Sequence, residues 1–95
     1  MRKFSEIKGQ EAIDVLAEIL EPIINIVNDE EVRQGMETNV ARSASIALKK
    51  HKKEVWHILA VIDGVEDDKL EIDLLTLPTA LIELLSEPVV QELFQ

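Results

Sequence analysis

The sequence predicts an all-α fold, a small single-domain helical bundle of about five helices that spans residues 1–95 and contains no sheet. Over most of the chain, apolar residues recur at steps of three and four, which is the period of an amphipathic helix. No segment has a convincing pattern of alternating, β-branched residues, as a strand would. A chain of 95 residues has the size of one domain and can bury a core without disulfides or metals.

The first helix is predicted over residues 10–27. Glu11, Asp14 and Glu18 follow the helical period on one face, and apolar residues follow it on another. Pro22 lies inside the helix and should kink it or begin a second one, because proline lacks an amide hydrogen and clashes with the preceding turn. We expect the core seam to consist of Ile13, Leu16, Leu20, Ile23, Ile24 and Val27, with Ile19 and Ile26 on a flank.

The next two helix boundaries are predicted from capping residues. Asn28 and Asp29 should end the first helix and cap a short acidic helix with the sequence "DEEVRQG", which Gly35 should close. A further helical region should begin at Thr38 or Asn39, since both residue types cap helices well.

From that point no glycine or proline interrupts the chain before Gly64, which forms a "DG" turn signal. One long helix is therefore possible. We favour two helices separated at His51, because residues 49–54 contain no apolar side chain and helices commonly end in lysines that complement the exposed carbonyls. The seam that this region should present to the core comprises Ala44, Leu48, His51, Val55, Ile58 or Leu59, and Ile62.

The C-terminal part predicts two short helices after an acidic connector, "VEDDKLEID", that is irregular or extended. Thr76 is a candidate cap with Pro78 in the first turn, and Ser86 with Pro88 repeats this arrangement for a last helix through Phe94. The prolines suit these positions because a first-turn amide has no partner within the helix.

Charge limits the classes of partner. The chain carries 19 acids and 10 bases, and its net charge is -9. Residues 36–62 are locally basic, with five bases and two acids, and they include "KKHKK" at residues 49–53. We interpret this patch as a helix end and connector whose lysines balance nearby acids, and we expect no nucleic-acid partner because phosphate binding depends on an excess of lysine and arginine.

The pattern of chemically active residues predicts neither an enzyme nor a metal site. His51 and His57 are six positions apart, which does not suit two ligands on one helix face, and the chain has no cysteine. The acidic run 63–73 lacks the glycine and glutamate positions of a calcium loop. No serine lies in a nucleophile elbow, so we expect no catalytic residue, cofactor, metal or small-molecule substrate. Trp56 should pack in or beside the core.

Membrane association is not expected either. No apolar stretch precedes Glu11, and the longest apolar run, Ile58–Ile62, is far shorter than a membrane span. We therefore expect neither a signal peptide nor a membrane anchor.

Three stretches of the sequence carry a resemblance to a known family: they are "MRKFSEIKGQEAIDVLAEILEPI", "ALKKHKKEVWHILAVIDG" and "LTLPTALIELLSEPVVQELF". Together they resemble small tail assembly chaperones of long-tailed phages and prophages of low-GC Gram-positive bacteria. The resemblance implies a helical protein of the bacterial cytoplasm that holds the tape measure protein, brings tail tube subunits to it and is absent from the finished virion. It supplies no catalytic or cofactor residues. A longer frameshifted product is common in such families.

Two functional hypotheses follow. A chaperone for a long helical client needs exposed apolar surface and enough net charge to stay in solution. A small acidic inhibitor or DNA mimic is the alternative, favoured by "VEDDKLEID", and high salt should release its partner. We expect homo-oligomers, because Ile19 and Ile26 widen the apolar face of the first helix.

The segment from residue 74 to residue 94 is the predicted partner surface, since it has more apolar residues than one helix face can bury. The alternative is that its last helix only closes the core. The predicted partner-binding residues are Leu77, Leu81, Ile82, Leu85, Val89, Val90, Leu93 and Phe94.

Overall fold

A computed structural model describes residues 2–93 and contains six α-helices and no strand in that range. The prediction of an all-α bundle is confirmed: five helices have at least seven residues, and the sixth is shorter. Single 3₁₀ turns lie at Phe4–Glu6 and Asp67–Lys69. The helices are α1 (Gln10–Val27), α2 (Glu30–Thr38), α3 (Val40–Lys50), α4 (Lys52–Asp63), α5 (Leu77–Ser86) and α6 (Pro88–Leu93).

Helix α1 continues through Pro22 without interruption, so no second helix begins there. The face that it buries differs from the predicted one. Ile19 and Ile26, which we expected on a flank, are buried, whereas Ile13 and two other residues of the expected seam are exposed. The buried residues of α1 are Ile19, Ile23, Ile26 and Val27, and the exposed large apolar residues are Ile13, Leu16 and Ile24.

The reason for this correction lies in the packing between helices. Helix α1 packs mainly on α4, whose Ile58, Leu59 and Ile62 are almost wholly covered. Because α1 is apolar over more than one stripe, spacing alone leaves its rotation about the axis open. Contact with α4 selects the stripe that contains Ile19 and Ile26.

Side-chain caps hold the ends of α2 and α3 as the sequence predicts. Asp29 Oδ1 accepts a hydrogen bond from the Glu31 amide at 2.9 Å, and Asn39 Oδ1 accepts one from the Arg42 amide at 2.8 Å. The choice of Asn39 over Thr38 is therefore settled. Each cap satisfies an amide that has no partner within its helix.

Gly35 does not close α2, which runs on to Thr38. It is buried where α2 crosses α3, and a Cβ atom there would lie 3.0 Å from the Cα atom of Ser43. Ser43 is fully buried as well, and its hydroxyl donates to the Val32 carbonyl at 3.0 Å. This glycine thus allows two helix backbones to approach closely, which is a different role from the predicted helix stop.

The predicted break at His51 is confirmed. Helix α3 ends at Lys50, α4 begins at Lys52, and His51 lies between them with φ -127° and ψ 37°. Gly64, with φ 78°, ends α4 in the left-handed conformation that glycine adopts readily.

Helix α5 begins at the predicted place but with a different cap. The Thr76 side chain makes no capping hydrogen bond. Asp73 Oδ1 instead accepts from the amides of Leu75 and Thr76 at 3.0 and 2.8 Å, which makes a compact turn before the helix. Pro88 lies in the first turn of α6 as predicted, but Ser86, the predicted cap, is the last residue of α5. Phe94 lies outside the described residues.

Candidate functional site

An exposed apolar stripe runs along α1. Ile13 is 69% exposed, Leu16 and Ile24 are exposed to a lesser degree, and Leu20 is half-buried. These four residues are spaced by three, four and four positions, so they lie on one side of the helix. We call them the α1 stripe. An 18-residue helix is about 27 Å long, which gives the stripe room for several turns of a partner helix.

A groove lies at the N-terminal end of this stripe, between the first 3₁₀ turn, α1 and α6. Its volume is about 240 Å³, and apolar side chains line it. Leu16 belongs to both the stripe and the groove. We call this feature the N-terminal groove; its lining residues are Phe4, Ile7, Ala12, Val15, Leu16, Ile19 and Val89.

The seven predicted partner-binding residues that the structure describes divide into three groups by exposure. Leu81, Leu85 and Val90 are buried in the core of their own chain, which removes them from the side chains available to a partner. They are buried because α5 packs on α3 and α6, and α6 also packs on α1. Ile82 and Val89 are exposed, at 41% and 42%. Leu77 and Leu93 are partly buried, and Phe94 is outside the described range.

Two residues of the same segment that were not among the predicted partner contacts are far more exposed. Leu74 is 84% exposed and Leu75 is 88% exposed, in the turn that Asp73 organises before α5. The signal in the sequence was a pair of consecutive leucines directly after an aspartate. Two adjacent apolar residues ahead of a helix start can both face solvent, whereas helical spacing draws attention to residues three or four apart.

A polar network joins the α1–α2 connection to the α3–α4 junction. His51 Nε2 lies 2.8 Å from Asp29 Oδ2, and His51 Nδ1 lies 3.1 Å from Glu54 Oε1. Lys50 Nζ lies 2.8 Å from Asp29 Oδ2 and 3.2 Å from Glu31 Oε1. The Lys50 ammonium and then the His51 ring hold the pKa of the Asp29 carboxyl well below its usual range. Asp29 therefore caps α2 and anchors the helix junction at once.

This network accounts for part of the basic patch. Lys50 has two acidic partners, which also raise the pKa of its ammonium group. Lys49, Lys52 and Lys53 form no ion pair with any residue between positions 2 and 93, and they are exposed. The interpretation of "KKHKK" as a helix end is confirmed for Lys49 and Lys50, whereas Lys52 and Lys53 begin α4. The balancing of acids within the described chain is confirmed for Lys50.

A second polar cluster attaches the acidic connector to α4 and α1. His57 Nδ1 lies 2.8 Å from Asp67 Oδ1, and His57 Nε2 lies 3.3 Å from Glu18 Oε2. Asp67, followed by Glu18, raises the pKa of the His57 ring. Trp56 is partly buried against the core, as predicted, and its indole Nε1 donates to the Asp67 carbonyl at 2.7 Å.

Between residues 2 and 93 there is neither a cluster of side chains that could ligate a metal ion nor a helix that could cross a membrane. Across residues 2–93, no three His, Cys, Asp or Glu side chains are grouped so that they could hold a metal ion. None of the helices in that range has both the length and the apolar character to cross a bilayer. Chemically, the surface combines exposed apolar side chains with polar groups, and some of these polar groups, such as Asp29 and His57, already have partners inside the fold.

The chain was compared with known proteins, and no family model, curated protein or solved structure matches it.

Proposed function

We propose that this protein is a non-enzymatic tail assembly chaperone, which binds the tape measure protein, tail tube subunits or both while a phage tail is built in the bacterial cytoplasm. It leaves before the virion is complete. The observation that carries the proposal is the α1 stripe, an exposed apolar surface beside the stripe that α1 buries in the core. The resemblance of the three sequence segments described above supplies the identity of the client.

The α1 stripe suits a helical client. Its spacing of three and four positions matches the anchors by which one amphipathic helix packs on another. Glu11, Asp14 and Glu18 are exposed on the other side of α1. A net charge of -9 opposes uncontrolled association of a protein that displays such a surface.

The acidic connector gives less support to an inhibitor that mimics DNA. Asp67 is paired with His57, and Asp73 organises the turn before α5. Two of the acids that would face a basic groove therefore have structural partners within the chain. The α1 stripe has no comparable partner among the described residues.

The test compares Ile24→Ser with Ile82→Ser. Both isoleucines are 41% exposed and both lie on helices, α1 and α5, so the two changes remove equivalent surface from different faces. Purified tagged protein is used to capture recombinant tape measure fragments and tail tube protein. We expect Ile24→Ser to weaken capture about tenfold and Ile82→Ser to leave it close to wild type, since loss of an apolar anchor is worth that order of affinity.

The opposite ranking would place the client on the C-terminal segment that sequence reasoning favoured. Equal capture by both variants and the wild type would contradict the α1 stripe as the binding surface. Capture should persist as salt is raised, because apolar contact is not screened, and release by moderate salt would support the acidic inhibitor instead. The proposal also requires a tail tube gene upstream and a very long tape measure gene downstream of this one.

A further inference from the structure

Leu74 and Leu75 form the most exposed apolar feature between residues 2 and 93. Their side chains are 84% and 88% exposed, so neither occupies a site on its own chain. Scattered single apolar residues on a surface are ordinary, but two neighbouring leucines with nearly complete exposure form a projecting contact. We call this pair the leucine knob.

The leucine knob is held in place on both sides. Asp73 Oδ1 accepts from the Leu75 amide at 3.0 Å, and the Asp73 carbonyl accepts from the Leu77 amide at 2.9 Å. Leu70, four residues before the knob, is buried in the core, and α5 begins directly after the turn. Because the backbone is already ordered, docking would cost little additional conformational entropy.

The N-terminal groove is a receptor of suitable chemistry. It lies at another part of the chain, between the first 3₁₀ turn, α1 and α6, and apolar side chains line it. Its volume is about 240 Å³, and it is partly open to solvent. Val89, at 42% exposed, stands at its accessible edge.

Charge at the two sites is complementary. Residues 63–73, which lead to the knob, contain six acids and one lysine. Asp67 and Asp73 have partners within the chain, which leaves four acids for a contact with another copy. Residues 2–8, which border the groove, contain three bases and one acid. Four acids adjoin lining residues in sequence. Glu6 accepts from the Lys3 amide, Glu11 pairs with Arg2 at 2.9 Å, Glu18 lies 3.3 Å from His57, and Asp14 is exposed on the side of α1 away from the groove. Lys3 and Lys8 are exposed, adjoin lining residues in sequence and make no ion pair within residues 2–93, so they remain available to an acidic surface.

We infer that the leucine knob of one copy docks in the N-terminal groove of a second copy, so that the chains associate head to tail. Each copy has one knob and one groove at different places. Such a contact is heterologous, and repetition of it forms a ring or an open row of subunits. The inference differs from the earlier expectation of homo-oligomers, which relied on Ile19 and Ile26, because both of those residues are buried within the chain.

The test uses two variants that each lose one half of the contact. Leu74→Ser with Leu75→Ser removes the knob and keeps the groove, and Val89→Glu places a charge at the groove and keeps the knob. Ile82→Ser and Ile82→Glu are the controls, since Ile82 is as exposed as Val89 and does not line the groove. Masses are measured by light scattering over a range of concentrations, and circular dichroism verifies that each variant has a cooperative thermal transition.

We expect the wild type and both Ile82 controls to exceed the 10.7 kDa of one chain as concentration rises. Each half-variant should associate about tenfold more weakly or remain a monomer. A mixture of the two half-variants should form a 1:1 dimer that grows no further, because the intact knob of one fits the intact groove of the other. This mixing result is specific to a head-to-tail contact.

Three outcomes would overturn the inference. The wild type could remain a monomer throughout, the folded half-variants could associate as strongly as the wild type, or the mixture could stay monomeric while the wild type assembles. Should Val89→Glu prove unfolded, Lys3→Glu with Lys8→Glu weakens the groove's charge instead, with Lys52→Glu and Lys53→Glu as its control. Client capture is a separate measurement, so loss of self-association with retained capture leaves the proposed function standing.

Discussion

The rotation of α1 about its axis can be tested with one substitution made at two positions. Ile19 is 2% exposed and Ile13 is 69% exposed, although both are isoleucines on the same helix. Replacing Ile19 with alanine removes three carbon groups from the core. At about 0.8 kcal/mol for each group, the lost transfer free energy is about 2.4 kcal/mol. A cavity contribution raises the expected cost to about 2–5 kcal/mol.

The same change at Ile13 should be nearly neutral. Roughly a third of that side chain is covered, so the lost burial is below 1 kcal/mol by the same arithmetic. Alanine is also the better helix former, by about 0.5 kcal/mol, which offsets most of this loss. The propensity gain is common to both variants, so the predicted difference in the free energy of unfolding is about 1.7 kcal/mol from transfer alone and about 2 kcal/mol or more with the cavity at position 19.

Urea denaturation followed by circular dichroism at 222 nm, together with thermal melts, measures this difference. For a domain of this size, a loss of about 3 kcal/mol lowers Tm by roughly 12–24 °C. We expect that shift for Ile19→Ala and a shift of only a few degrees for Ile13→Ala. Equal shifts, or a larger shift at Ile13, would show that α1 buries the stripe that the sequence first indicated and would refute the packing argument above.

Three other predictions concern the packing of α3, the charge on His57 and the last helix. Gly35→Ala should lower the free energy of unfolding by on the order of 1 kcal/mol in urea titrations, because the added methyl group is crowded against α3 and this outweighs the gain in helix propensity. A variant that is more stable than the wild type would contradict this prediction. In NMR titrations, the pKa of His57 should exceed its ordinary value of 6.5 and fall in Asp67→Asn. Because the pKa of His57 is higher in the folded than in the unfolded protein, its stabilisation is fully present below pH 6.5 and is lost as pH rises through the raised pKa. An unchanged titration midpoint of His57 in Asp67→Asn would count against the pairing. Val90→Ala should lower the free energy of unfolding by about 2 kcal/mol, because Val90 is buried. Deletion of residues 89–95 should abolish the cooperative thermal transition. A truncated protein that melts normally would show that α6 does not close the core.

Local features of this fold were predictable because their causes lie within a few residues of each other. Asp29 and Asn39 cap helices through amides two and three positions ahead, and His51 separates two helices within a run of lysines. Gly64 ends α4 in a conformation that other residues adopt less readily. Such signals operate in any chain context, and for that reason the helix count and most boundaries agreed with the structure.

The candidate surfaces were less predictable because exposure depends on distant parts of the chain. Leu81, Leu85 and Val90 have the same apolar character as Ile82 and Val89, yet the first three are buried and the other two are exposed. Sequence spacing identifies a surplus of apolar residues but does not show which of them another helix covers.

By itself, the sequence determined the all-α class, most of the helix boundaries and the acidic character of the chain. Only the tertiary structure decided which stripe of α1 is buried, that Gly35 serves a helix crossing, and that Leu74 and Leu75 project from the bundle. The physical reason is the separation along the chain between the residues that interact. Helix formation and capping depend on hydrogen bonds between residues at most four positions apart, whereas burial depends on apolar contacts between helices that are remote in the chain.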